Sequence, residues 1–450
     1  MAQLGSLSRR SFIKNVGVTA LAGAAGTGAA TAANAQGSRS ARMSNNGPFD
    51  FDTVYNRVGT NCSRWDGPGQ NYPAGVFKYG MGVASMDFEC APCITEALQE
   101  RIAHHNYGYL TGTDTLKDAI VKWNGERKGE DLHPDQIVLS DGVYPGVIAA
   151  LRAFVPAHEK VVVTSPCYSG FYSMARAANV QTVDSPMKIV NGRYTFDFED
   201  LEAQMAATDV RALILCNPQN PTGNVWKQDE LLRLGRLCLE NDVVVLSDEI
   251  HCDVIRAGHK FMPFASLPDQ AVVNNSVSFS AISKTFSLAG MKNAFYYSKN
   301  PKLLGRVNQY HRAEISTLGV VATEAAYNHG GPWFDQVNAY MDENHTFIEN
   351  YIRQHMPTVG YTRNEGTYMT FLDFSKTMKA LNAEEQAVAH KARTPEHYFR
   401  DWLVYETGVY FNAGTDYGAG GEGHVRMNIA SSRTVIKEVL DAIAGAVNKV

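Results

Sequence analysis

The chain has no excess of positive charge: 41 Lys and Arg stand against 46 Asp and Glu, for a formal net charge of -5. A phosphate backbone needs a basic face, so no nucleic-acid partner is expected. Cysteine is scarce and odd in number, seven in 450 residues, which does not suit a disulfide scaffold. Cys90 and Cys93 form the only C-x-x-C; without a thioredoxin-like βαβ context they read as two packed cysteines at a helix start. The 13 histidines are scattered, and His104, His105 and His329 lack the partner spacing of a zinc site, so no metal is expected. Beyond residue 35 no run of about 18 apolar residues occurs, and the mature protein is expected to be soluble.

What is present is an ordinary globular balance, 44% hydrophobic and 19% charged, enough for a large core and a second, smaller domain. The N-terminus differs. Ser8-Arg9-Arg10-Ser11-Phe12-Ile13-Lys14 precedes an Ala/Gly-rich apolar stretch from Val16 to Ala33, closed by Ala33-Asn34-Ala35. This resembles a twin-arginine (Tat) signal peptide, which implies residues 1–35 as a cleaved leader, the Tat translocase as a transient partner and a periplasmic or other extracytoplasmic location. The alternative, an uncleaved anchor, is disfavoured because the stretch is short and rich in Gly and Ala.

From about Asp135 to Phe279 one grammar repeats: a short Val/Ile/Leu run, a polar or Gly/Pro punctuation, then a helix-like segment. The runs are Ile137 to Leu139, Val161 to Thr164, Ala212 to Leu215, Val243 to Leu246 and Val277 to Phe279. Continuous apolar strands alternating with helices predict an α/β fold with a mostly parallel sheet covered on both faces. Ligands of such sheets sit beyond the carboxyl ends of the strands. The segments there read Asp141-Gly142-Val143-Tyr144, Ser165-Pro166-Cys167-Tyr168, Cys216 to Gly223, Ser247-Asp248-Glu249-Ile250-His251, and Ser280 to Lys284.

That rim matches the needs of pyridoxal 5'-phosphate (PLP). The cofactor requires an amine for its aldehyde, a carboxylate for its pyridine nitrogen, donors to O3', a flat ring partner and a phosphate site. Lys284 supplies the amine, which desolvation at a strand-end turn would make more nucleophilic. Asp248 would pair with the pyridinium; an opposite charge within hydrogen-bonding distance moves such a pKa by roughly 1 to 3 units. Asn220, set between prolines, and His251 can reach O3'. Tyr168 offers a stacking ring. The amides of Gly142 and Val143 at a helix N-terminus, with the Ser283 hydroxyl, can hold the phosphate.

The segments N-P-x-N-P-T-G, S-D-E-I-H and S-K-T-F-x-L-A-G, in this order and spacing, resemble fold type I PLP-dependent enzymes, the aminotransferase class I/II superfamily. Within it the chain is similar to cystathionine β-lyases of the MalY/PatB type, through Arg57-Val58-Gly59-Thr60, Trp65-Asp66, Met86-Asp87-Phe88, Tyr107-Gly108-Tyr109, Thr367-Tyr368 and Gly421 to Asn428. The resemblance implies that Arg426 binds the substrate α-carboxylate, a planar anion suited to its fork of donors. It also implies that Tyr109 reaches the phosphate of a neighbouring subunit, hence a homodimer with shared active sites.

One such site can support elimination, transamination or racemisation. The resemblance adds that many aminotransferases of the superfamily carry a phosphate-binding arginine eight residues after the lysine that holds PLP and that the β-lyase type lacks it, so Lys292 at that place favours a carbon–sulfur β-lyase acting on a cysteine conjugate. Ala281 stands where relatives often have a phosphate-binding serine. Export points instead to an aminotransferase, one that could tailor an amino-acid side chain of a siderophore peptide. An idle binding protein that kept the fold would predict loss of Lys284 or Asp248, and both are present. Walls of the substrate pocket are sought in Trp65, Tyr310, Tyr368 and the Gly414 to Gly421 segment. The expected layout is an N-terminal arm and part of the small domain over 36–93, a large PLP-binding domain over 94–320, and a C-terminal small domain over 321–450.

Overall fold

Seven short strands build the central sheet of the computed structural model, which describes residues 47–450. The twin-arginine segment and the site after Ala35 lie outside the described residues. In chain order the strands are β1 (Ile137–Ser140), β2 (Lys160–Ser165), β3 (Gln181–Pro186), β4 (Val210–Cys216), β5 (Val244–Asp248), β6 (Ser276–Ala281) and β7 (Ala294–Tyr297). Their spatial order is β1-β7-β6-β5-β4-β2-β3. Only β7 runs antiparallel to its neighbours; the remaining pairs are parallel.

The mostly parallel sheet follows from the apolar runs. Val161, Val162, Val163, Leu213, Val245, Leu246 and Val277 are fully buried, as strands covered on both faces must be. Helices supply the cover. Val143–Phe154, for instance, buries Val147, Ala150 and Leu151 against the sheet. Two strands fall outside the apolar grammar, β3 because its sequence QTVDSP is that of a polar edge strand, and β7 because its AFYY is short and aromatic. Strand pairing also carries β5 two residues beyond its apolar run, with Asp248 in register between Cys216 and Phe279.

A second, wholly antiparallel sheet has the order β8-β9-β11-β10, from β8 (Gly360–Tyr361), β9 (Met369–Asp373), β10 (Asn412–Ala413) and β11 (His424–Asn428). The N-terminal arm joins this side of the molecule: Tyr79–Gly80 pairs in parallel with Val409–Tyr410. The arm is fastened by a buried charge cluster. Asp87 meets Arg57 Nη1 at 3.1 Å, Arg64 Nη1 at 3.0 Å and the Trp65 indole N–H at 2.9 Å. Oδ1 takes both hydrogen bonds, while Oδ2 has no hydrogen-bond partner and is compensated by the charge of Arg64 beside it, the pairing that a buried carboxylate demands. No helix among the described residues is long and apolar enough to cross a membrane, and the same residues hold no group of metal-ligating side chains.

Candidate active site

The carboxyl ends of β5 and β6 bring the two central residues together. Asp248 closes β5, 3% exposed, and its Oδ1 accepts the Ile250 N–H at 3.1 Å. Lys284 follows β6 in the short helix Ile282–Thr285. Its Nζ donates to the Ala84 carbonyl at 2.9 Å. Burial, with Arg426 adding and Asp248 opposing, pulls the amine down to about 8. Burial pushes the Asp248 carboxyl up to about 7, while the Ile250 N–H and Lys284 draw it back. At Asp248 desolvation therefore outweighs the opposing charge of Lys284.

The other predicted residues converge from both sheets. Arg426 lies on β11, and its Nη1 donates to Asn220 Oδ1 at 2.9 Å. That bond turns the Asn220 amide so that its NH2 remains the free end. Arg426 Nη2 donates to the Gly82 carbonyl at 2.7 Å, and its buried Nε has no partner. His251 is 2% exposed with Nδ1 unpartnered. Burial, Lys284 and Arg426 hold its pKa well below the usual imidazole value, so the ring is neutral at neutral pH. The Tyr168 ring packs edge-on against Phe171, and a Cβ at Gly170 would lie 2.2 Å from it. Gly142 opens the helix Val143–Phe154; the Ser140 hydroxyl donates to its carbonyl at 2.7 Å and lies 3.0 Å from His311 Nε2. Ser283, partly buried, immediately precedes Lys284.

Tyr109 is not part of this cluster within one chain. It is 97% exposed and lines, with Tyr107, Leu110 and residues 313–318, a surface cavity of about 750 Å³. Tyr310 is also exposed, and the Trp65 indole N–H donates to Asp87. Lys292 is exposed with φ +52°. Tyr368, in contrast, is fully buried, its hydroxyl donating at 3.2 Å to the same Ala84 carbonyl that Lys284 uses.

The strap Gly82 to Met86 was missed by the strand-end argument. Each of its carbonyls accepts from a side chain: Gly82 from Arg426, Val83 from Asn428, Ala84 from Lys284 and Tyr368, Ser85 from Arg64 and Asn428, Met86 from Arg57. Backbone acceptors leave no mark in residue type. The signal that could have pointed to them is the density of donors, Arg426 and Asn428, in one quoted motif.

These residues fit PLP. An amine of lowered pKa shares the rim with a buried carboxylate, beside a neutral imidazole and a guanidinium that each keep an unpartnered nitrogen, with a helix N-terminus on the same rim. Comparison with known proteins agrees. The family model for aminotransferase class I and II matches residues 78–443. Cystathionine β-lyase PatB of Bacillus subtilis is 35% identical over 404 residues, 89% of this chain and 100% of PatB. Cystalysin from Treponema denticola, whose structure contains PLP, superposes with TM-score 0.82 at 28% identity, covering 89% of this chain and 99% of cystalysin. The PLP-bound C–S lyase from Staphylococcus hominis gives 0.80 at 30%, again over 89% and 99%. The architecture is that of fold type I PLP enzymes, and the sheets, the rim and a match running through nearly all the described residues lead to one assignment: this chain belongs to the aminotransferase class I and II family.

Proposed function

We propose that this protein is a PLP-dependent carbon–sulfur β-lyase that converts a cysteine S-conjugate of the cystathionine type, with one water, to pyruvate, ammonia and a thiol. The observation that carries this reading is the 35% identity to a cystathionine β-lyase over that enzyme's full length. The rim's geometry supports the chemistry. PLP, when bound, delocalises the charge left at Cα after proton removal. Lys284, with its amine drawn down to about 8, is a base matched to that proton. Asp248 would face the pyridine nitrogen as its charge partner, Asn220 and neutral His251 would donate to O3', and Tyr168 would cover the ring. Gly142, Val143 and Ser283 would hold the phosphate. Arg426 would turn its fork to the substrate α-carboxylate and fix the Cα–H over the ring.

The exposed Tyr107-Gly108-Tyr109 segment fits a homodimer in which Tyr109 completes the partner's phosphate site. We further read the Arg9-Arg10 leader as export through the Tat pathway, with the enzyme acting outside the cytoplasm. The test of function adds L-cystathionine and, separately, L-glutamate to the purified holoenzyme. Pyruvate with free thiol is the expected result; a keto acid with lasting loss of the cofactor's visible band would make it a transaminase instead. Absence of bound or added PLP in the visible spectrum, or a visible band unchanged in Lys284→Ala, would overturn the cofactor assignment itself.

A further inference from the structure

Arg426 rests on a shelf. Its guanidinium carbon lies 5.0 Å from the centre of the Tyr417 ring, and Tyr417 is fully buried. The Tyr417 hydroxyl accepts from Asn412 Nδ2 at 3.0 Å, and Asn412 is the strand partner of Arg426 across β10 and β11. A ring face beneath a desolvated guanidinium attracts it and fixes its plane.

The shelf is tied down on two sides. Tyr417 ends the turn Gly414–Tyr417, and the chain then crosses to the large sheet. There Asp184 of β3 takes the Ala419 N–H on Oδ2 at 3.0 Å and the Tyr172 hydroxyl at 3.0 Å from either oxygen. The Cys167 N–H donates to the Tyr417 carbonyl at 2.8 Å. Gly418 has φ +87°, and a Cβ on it would lie 1.8 Å from the Tyr172 hydroxyl, so the loop passes only where no side chain intervenes. On the other side the Thr394 and Thr415 hydroxyls lie 2.9 Å apart, and Asp416 is paired with Arg393 and His397. Asp184 and Tyr172 hydrogen-bond none of Lys284, Asp248, His251 or Arg426.

We propose that Asp184 and Tyr172 are positioning residues: by clamping the 414–421 loop to the large sheet they seat Tyr417 under Arg426, so that the guanidinium is aimed at the substrate α-carboxylate before substrate arrives. This rests on the reading of Arg426 given above. The physical gain is entropic. A free arginine must surrender several rotamers at each binding event, whereas one already seated has surrendered them on folding.

The test measures, on holoenzyme, the Kd of L-alanine and of ethylamine from the spectral shift of bound PLP. L-alanine carries the α-carboxylate and no β leaving group; ethylamine lacks the carboxylate. Asp184→Asn and Tyr172→Phe should each raise the Kd of L-alanine about tenfold and leave that of ethylamine unchanged. Tyr417→Phe, which keeps the ring, should retain L-alanine binding, and Tyr417→Leu should lose it by a similar factor. Equal weakening of both ligands, or weakening of neither, overturns the inference. Arg426→Ala separates it from the reading beneath: if L-alanine binds unchanged, the anchor assignment fails, and if only Arg426→Ala weakens L-alanine, the clamp alone fails. Should Asp184→Asn not fold, Tyr172→Phe decides.

Discussion

The pH at which cofactor-free protein captures PLP tests the site's electrostatics directly. Capture needs the neutral Lys284 amine. An ordinary lysine, at 10.5, is neutral in about one molecule in a thousand at pH 7.5. With the amine at about 8, roughly a quarter of molecules are neutral at that pH, a gain of about two orders of magnitude. The sign is that of a buried base: burial and Arg426 disfavour the charged form, so the reactive form is lost as pH falls below about 8. Stopped-flow absorbance of stripped protein mixed with PLP should therefore show the rate rising about tenfold per pH unit below the bend and flattening above it. Arg426→Met removes one cause of the shift and should move the bend to higher pH. A rate that keeps climbing tenfold per unit through pH 9.5 would refute the reasoning, because it would describe a solvated lysine.

Four further outcomes are expected. Asp248→Asn removes the carboxylate whose charge opposes the lowering of the Lys284 amine and should lower kcat roughly 10- to 1000-fold in steady-state assays, the range an opposing charge covers. Arg426→Lys replaces a fork by a point charge and should raise KM about tenfold or more with kcat little changed. Gly170→Ala would push a methyl against the Tyr168 ring; fluorescence titration should show PLP bound several-fold more weakly, with thermal stability near that of the parent. Trp226→Ala removes a fully buried indole that stacks 3.8 Å from Phe196 and donates to the Cys216 carbonyl at 3.0 Å, and denaturant unfolding should show a loss of about 3 to 5 kcal/mol.

Some parts of this molecule were legible before folding. Strands β1, β2, β4, β5 and β6 were readable because burial on both faces demands continuous apolar runs. The rule that ligands gather beyond carboxyl ends then placed Lys284, Asp248, Asn220 and His251 on one rim. Strands β3 and β7 were not readable, the first polar at an edge, the second a short aromatic run reversed in direction. The Asp184–Tyr172 clamp joins segments more than 200 residues apart, and no local pattern announces such a meeting. Tyr109 stayed ambiguous for another reason: its proposed role belongs to a second subunit, and in one chain it only faces outward.

The strap from Gly82 to Met86 bears on inheritance. Its path is written in residues found elsewhere, Arg57, Arg64, Lys284, Tyr368, Arg426 and Asn428, which grip its carbonyls. A side-chain change at Val83 or Ala84 leaves those carbonyls in place, whereas a change at Asn428 takes one donor from each of two of them at once. A segment at the heart of the site can thus drift in sequence while its shape is conserved by distant guardians. Gly82, Ser85 and Met86 are exceptions: a Cβ on Gly82 would lie 2.2 Å from Asn412 Oδ1, the Ser85 hydroxyl accepts from Arg57 at 3.0 Å, and Met86 is buried in the core.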